Sequence, residues 1–310
     1  MIRAEGLTKQ FGNVTAVEDL TLDVRDGEVF GFLGPNGAGK TTTVRMLTSL
    51  ISKTRGSAEV AGCNIGNPEE ELRLRHQIGL LPENVGLYEG LSAYENLAYF
   101  GRLNRVEPAR LAQNIERLLR MLELWERRED AVATFSKGMK QKVAIARALV
   151  HDPVLLFLDE PTANLDPEAA KTVRDFILEL KREKRTIFLN THHLDEAERI
   201  CDRVGILRTE LLSVGSPSEL KSQIWGSRTR VRVAPLTDGI VAAIRTRLPG
   251  RDVQVEGDSI LVTVQKPDED NPSIAEAVLS AGGRLLELTQ VSASLEDVYL
   301  KLVREGGPPA

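Results

Sequence analysis

The segment VFGFLGPNGAGKTTTVRMLTSLI constrains this chain more than any other. Residues 29–33 are an apolar run broken only by Gly31, the pattern of a strand buried on both faces. Gly34, Pro35, Asn36, Gly37, Ala38, Gly39, Lys40 and Thr41 follow as G-x-x-x-x-G-K-[ST]. Residues 41–51, starting with Thr41 and Thr42, then open a helix. This order places a ring of backbone N–H groups at a helix N-terminus, where an anion is favoured. Glycine lets backbone approach phosphate oxygens closely. Lys40 supplies a cation for the phosphates, and Thr41 a hydroxyl for Mg2+.

A second apolar run, VLLFL at residues 154–158, ends in Asp159 and Glu160. It predicts a buried parallel strand that delivers two carboxylates at its C-terminal end, where open α/β sheets bind ligands. Asp159 is placed to hold Mg2+ through water, and Glu160 to polarise an attacking water. A third strand, TIFLN at 186–190, leads to Thr191, His192 and His193. Between the first two runs, FSKGM at 135–139 precedes KQKVAIARALV, whose Val143, Ile145, Ala146 and Leu149 have helical spacing. Ser136 then lies at a helix N-terminus, as a plain cap or as an anion ligand.

Taken together these residues resemble the ATP-binding subunit of an ATP-binding-cassette (ABC) transporter, of the exporter-type, ABC-2-like branch. Residues 135–139 stand where the family carries Leu-Ser-Gly-Gly-Gln; Ser136 and Gly138 match, while Phe135, Lys137 and Met139 depart from it. The resemblance implies that Ser136 and Gly138 meet the γ-phosphate of ATP held by a second subunit, in a head-to-tail dimer. Asp166, in the run ANLD, matches the loop that crosses such a dimer. His192 matches the switch histidine, and Phe11 takes the place of the aromatic that stacks on adenine, with a buried hairpin Phe as the alternative. Glu83, in GLLPE, fills a position usually held by Gln. It keeps a metal ligand but loses an amide donor. The implied catalytic residues are Glu160 and His192. The implied metal ligands are Thr41, Glu83 and Asp159, and the implied cofactors are ATP and Mg2+.

The expected fold is α/β: a P-loop ATPase core with an N-terminal antiparallel β region and a helical subdomain, plus a small C-terminal α+β domain. The length of 310 residues allows two domains. Residues 1–215 carry every nucleotide motif, with a helical subdomain at about 87–152. Within it Leu111, Ile115, Leu118, Leu119 and Leu122 fall on one helix face. Residues 87–96 are expected near the surface that receives a helix of the membrane partner, with Tyr88 and Tyr94 either core-facing or in contact. Residues 216–225 read as a linker. Residues 226–310 read as strand, helix, strand, strand, helix, strand and a closing helix, with TRVRVA and SILVTVQ as exposed antiparallel strands and a disordered tail at 306–310.

No apolar stretch reaches the length of a membrane span, and the N-terminus lacks the layout of a signal peptide. The chain is therefore expected in the cytoplasm, peripheral on the inner face of the cell membrane. Its partners would be an integral-membrane permease subunit and a second copy or paired ATPase subunit. The net charge of -5 argues against unspecific nucleic-acid binding. Cys63 and Cys201 have no ligand-like spacing and read as ordinary thiols; His76 and His151 carry no motif. The leading reading is an ATPase that powers a separate permease for export. A soluble ABC ATPase acting on a ribosome or DNA complex is the alternative, and a nucleotide-gated regulator without turnover is a third.

Overall fold

Three strands precede the glycine-rich turn. β1 (Ile2–Phe11) and β2 (Val14–Val24) form an antiparallel hairpin around Gly12. β3 (Val29–Leu33) is buried at every position, and α1 (Lys40–Leu47) follows the turn. The helix expected over 41–51 stops at Leu47, because Ser49 turns the chain away with φ 53. β4 (Arg55–Val60) and β5 (Cys63–Asn64) complete a four-stranded antiparallel sheet of order β2-β1-β4-β5. The computed structural model describes residues 1–225, 227–291 and 293–305.

α2 (Pro68–Gln77) leads into β6 (Ile78–Leu81). α3 (Ala93–Leu103) is fixed at its start by a reciprocal capping box between Ser92 and Glu95. α4 (Pro108–Met121) buries Leu111, Ile115, Leu118 and Leu119, the stripe the sequence pattern marks. α5 (Lys137–Leu149) is capped by Ser136. Then come β7 (Leu155–Asp159), α6 (Pro167–Arg182), β8 (Thr186–Thr191), α7 (Leu194–Ile200), β9 (Arg203–Arg208) and β10 (Glu210–Gly215). The central sheet has the order β10-β9-β3-β8-β7-β6, parallel except for β10. Phe188 of β8 packs its ring against Phe30, Phe32 and Phe157 of the neighbouring strands. Because the strands run parallel in register, Leu81 pairs Leu158, Asp159 pairs Asn190, and Leu33 pairs Thr191. The residues after β3, β6, β7 and β8 therefore leave the sheet along one edge.

The chain divides into two units, Met1–Ser216 and a second that starts at Pro217. Residues 217–225, within the stretch that reads as a linker, are helical as α8 (Pro217–Trp225). The second unit continues with β11 (Ser227–Ala234), α9 (Asp238–Arg247), β12 (Val253–Glu256), β13 (Ser259–Val264), α10 (Pro267–Ser280), β14 (Arg284–Val291) and α11 (Leu295–Glu305). Its sheet is antiparallel with order β12-β13-β11-β14. The expectation that SILVTVQ is an exposed strand fails: β13 is an inner strand, and five of its six residues are buried. Ile240 and Ile244 of α9 and Ile274 and Val278 of α10 share a core with Val231, Ile260 and Val262 of the sheet. The tail at 306–310 lies outside the described residues. Among the described residues no helix is long and apolar enough to cross a membrane.

Candidate functional site

The turn between β3 and α1 is shaped by close approach. A Cβ at Gly34 would lie 2.4 Å from the Leu207 carbonyl oxygen. Gly39 has φ 98, and a Cβ there would lie 2.2 Å from the Ala16 oxygen. Only glycine fits both demands at Gly39. Lys40 is almost fully buried, and its Nζ donates to the Gly34 carbonyl at 2.6 Å and the Pro35 carbonyl at 3.1 Å. Burial pulls its pKa below the usual lysine range, while the charges of Glu160 and Asp159 work the other way. The ammonium thus faces the carboxylates that end β7.

Asp159 is the last residue of β7 and is buried. It accepts hydrogen bonds from Asn190 Nδ2 and from the Thr41 hydroxyl. Burial pushes its pKa up; these two bonds oppose the shift, and the charges of Glu160 and Glu83 add to it. Glu83, exposed in the loop after β6, is near enough to act on Asp159 because β6 and β7 pair in parallel register. Glu160 leaves the strand at φ 51, a left-handed conformation that costs about 1–3 kcal/mol away from glycine. Its N–H donates to the Asn190 carbonyl at 2.8 Å. Its Oε1 accepts from His192 Nδ1 at 2.8 Å, while Oε2 is buried without a partner. His192 is the one of the two adjacent histidines that reaches Glu160. His193 stacks on it at 4.2 Å between ring centres, and its N–H donates to Thr191 Oγ1. Ligand atoms of Glu160, His192 and His193 lie within 4.8 Å of one another, but the nearest pair is already a hydrogen bond.

Ser136, Gly138 and Asp166 gather in a second group. Ser136 Oγ accepts from the Met139 N–H at 3.3 Å, and Asp166 Oδ1 accepts from the Ala169 N–H at 2.9 Å, so each caps the helix it precedes. A Cβ on Gly138 would stand 2.7 Å from Ala169 Cβ and 3.6 Å from Asp166 Oδ2. The hydrogen bonds of Ser136 and Asp166 stay within the helix starts they cap. Phe11 is half-exposed at the tip of the first hairpin, with Lys9 Nζ 4.8 Å over its ring, which excludes the buried alternative. Tyr88 is also exposed, packed against Tyr99 and Phe100; Tyr94 is half-buried. Arg147 of α5 stacks 5.0 Å over Phe100 and donates to the Gly86 carbonyl at 2.7 Å. His151 is held at the Ile78 carbonyl, away from the site, and both cysteines are buried and free.

Sequence reasoning missed Asn190, Thr162, Arg174 and Glu196. Asn190 faces Asp159 because β7 and β8 pair, a relation no local motif encodes. Thr162 Oγ1 donates to Glu196 Oε2 at 2.6 Å, and Arg174 Nη1 donates to Glu196 Oε1 at 2.8 Å.

The ABC transporter family profile matches residues 17–163, and that of the C-terminal domain of DrrA1-3-like ATP-binding proteins matches 215–303. The chain is 31% identical to the linearmycin resistance ATP-binding protein LnrL of Bacillus subtilis (strain 168), over 97% of this chain and 98% of that protein. It is 34% identical to the bacitracin transport ATP-binding protein BcrA of Bacillus licheniformis, over 99% and 98%. The chain belongs to the ABC transporter family. It is an ATP-binding and ATP-hydrolysing subunit that powers a membrane permease. The solved dimer of a bacterial ABC transporter cassette, MJ0796, covers 70% of this chain and 98% of its own, with a TM-score of 0.64 and 25% identity.

The ABC core fits the ATP and Mg2+ typical of the family. Gly34 and Gly39 let the turn pack tightly against the Leu207 and Ala16 carbonyls, and the space at Gly37 is open. Asp159, Thr41 and Glu83 offer an all-oxygen donor set, the kind that suits Mg2+. The raised pKa of Asp159 reflects a buried carboxylate that a cation would stabilise.

Proposed function

We propose that this subunit powers export of a small molecule, drug, lipid or peptide through a separate permease, working from the inner face of the membrane as one of two paired cassettes. The names of relatives tied to linearmycin resistance and bacitracin transport support the direction. The dimeric cassette of similar fold supports the pairing. Unit two, with no catalytic constellation in its sequence, would support the dimer or regulate it.

The single observation that carries the chemistry is the Glu160–His192 pair at the end of β7. In this reading the Gly34–Thr42 turn holds the phosphates by its N–H groups, with Lys40 swinging from its carbonyl partners onto the β and γ oxygens. Phe11 offers a ring face to adenine. Thr41, Asp159 and Glu83 would hold Mg2+, whose charge eases phosphoryl transfer. Glu160 presents a carboxylate oxygen to the attacking water, and His192 orients that carboxylate through Nδ1. Ser136 and Gly138 of the paired cassette close on the γ-phosphate at the N-terminus of α5, with Asp166 at the crossing loop.

The test is affinity purification of tagged Glu160→Gln protein from detergent-solubilised native membranes with ATP. A stoichiometric polytopic membrane protein is expected to come with it. Hydrolysis should fall by about 100-fold or more, in the range of general-base loss, while ATP binding persists. Recovery of a clean soluble dimer, or of ribosomal or DNA-bound assemblies, would overturn the reading.

A further inference from the structure

The strained turn that carries Glu160 is held from two sides. On one side Gln141 of α5 donates from Nε2 to the Pro161 carbonyl at 3.0 Å. On the other, Thr162, itself buried, donates to Glu196 of α7. The same Glu196 carboxylate, mostly buried, accepts from Arg174 of α6. One carboxylate therefore ties three segments: the turn after Glu160, the helix α6 that Asp166 caps, and the helix α7 that begins just after His192 and His193.

These bonds close a ring. Glu160 meets His192 at 2.8 Å; four residues on, Glu196 meets Thr162 at 2.6 Å, two residues after Glu160. Two chain segments are thus pinned to each other at two points. With one pin, the Glu160–His192 contact can pivot. With two, its length and angle are set by covalent geometry between the pins. A left-handed residue such as Glu160 keeps its conformation only where the surroundings over-determine it, and the Thr162–Glu196 bond is one of those constraints.

We propose that Glu196 is a positioning residue for hydrolysis: bridging Thr162 and Arg174, it fixes Glu160 relative to His192. It touches no substrate. This rests on the reading of Glu160 and His192 as the hydrolytic pair. Neither the Arg174–Glu196–Thr162 bridge nor any role for it follows from the loop and signature motifs, since its members lie outside them.

The experiment measures steady-state MgATP hydrolysis and nucleotide affinity of the full-length chain, in the membrane complex with which it purifies, for Glu196→Ala, Thr162→Val, Thr162→Ser and the double variant Glu196→Ala/Thr162→Val. The expected result is a kcat lower by roughly ten- to a hundredfold in Glu196→Ala and in Thr162→Val, the scale on which a displaced reacting group is felt. ATP affinity should be unchanged, Thr162→Ser should restore most of the rate, and the double variant should be no worse than either single one. Thr162→Val keeps the side-chain shape, so it serves if Glu196→Ala does not fold. Wild-type kcat in Thr162→Val, equal failure of Thr162→Ser and Thr162→Val, or a loss confined to ATP affinity would each overturn the proposal while leaving the ATPase reading intact. Glu160→Gln is run alongside; if it hydrolyses at the wild-type rate, the underlying pair is wrong and the proposal falls with it.

Discussion

Glu83, Asp159 and Glu160 bring three carboxylates to the sheet edge that Lys40 faces, and Glu83 is the member whose charge the chemistry needs least. It lies in an exposed loop and reaches the others through space, not through a hydrogen bond. Replacing it by Gln removes a charge that pushes up the pKa of Asp159, yet keeps an oxygen for the metal. Glu83→Gln is expected to keep hydrolysis within roughly tenfold, about 1.4 kcal/mol of barrier. Steady-state ATPase assays check this, and complete loss would refute it. At this scale the sequence was generous wherever function is local. Residues 34–42 and the Asp159–Glu160 pair are contiguous, so their chemistry reads directly from the chain. A family pattern sets His192 apart from His193 in the sequence; in the structure it is His192 that hydrogen-bonds Glu160. Glu196 gave no signal, because its partners are 34 and 22 residues away and an Asp-Glu-Ala-Glu helix start looks like ordinary solvated charge.

Between elements, Asp152 performs a joining task. It sits in the turn from α5 to β7 with φ 59 and pairs with Arg110 of α4 at 2.5 Å and with Arg185 just before β8. Burial alone would raise its pKa; the hydrogen bond and charge of Arg185, with those of Arg110, outweigh it and hold the carboxyl below its usual 3.8. A depressed folded-state pKa contributes stability that is fully present above the unfolded value and lost as pH falls through the folded one. Asp152→Asn should therefore lower the thermal midpoint near neutral pH. The gap to wild type should stay level down to about pH 4 and close below 3.8; a gap that does not change with pH would show that packing, not charge, holds the joint. Element boundaries were less legible than element identities. α1 ends early because Ser49 takes a left-handed conformation that TTTVRMLTSLI does not announce. β13 reads as an exposed strand from its alternation, but pairing on both edges and packing under α9 and α10 bury it. α8 was hidden by the turn-forming residues 215–218, which mark its start and not a whole linker.

For the molecule as a working subunit, the question is how a permease would be felt by the nucleotide. The strand–helix order of the second unit was readable from its hydrophobic rhythm; the job of that unit was not, since its sequence holds no reacting group. In the first unit the exposed Tyr88, within residues 87–96 where a permease segment is expected, packs with exposed Tyr99 and half-buried Phe100. Arg147 joins this cluster and the Gly86 carbonyl to α5. Arg147→Ala is expected to leave hydrolysis by the subunit alone close to wild type and to abolish its stimulation by the permease; unchanged stimulation in reconstituted vesicles would refute this. The consequence is mechanical. Ser136 caps one end of α5 and Arg147 grips near the other, eleven residues on, roughly 16 Å along an α-helix. A helix resists compression along its axis, so α5 is a stiff link between the two ends: a displacement imposed at Arg147 would be carried to Ser136.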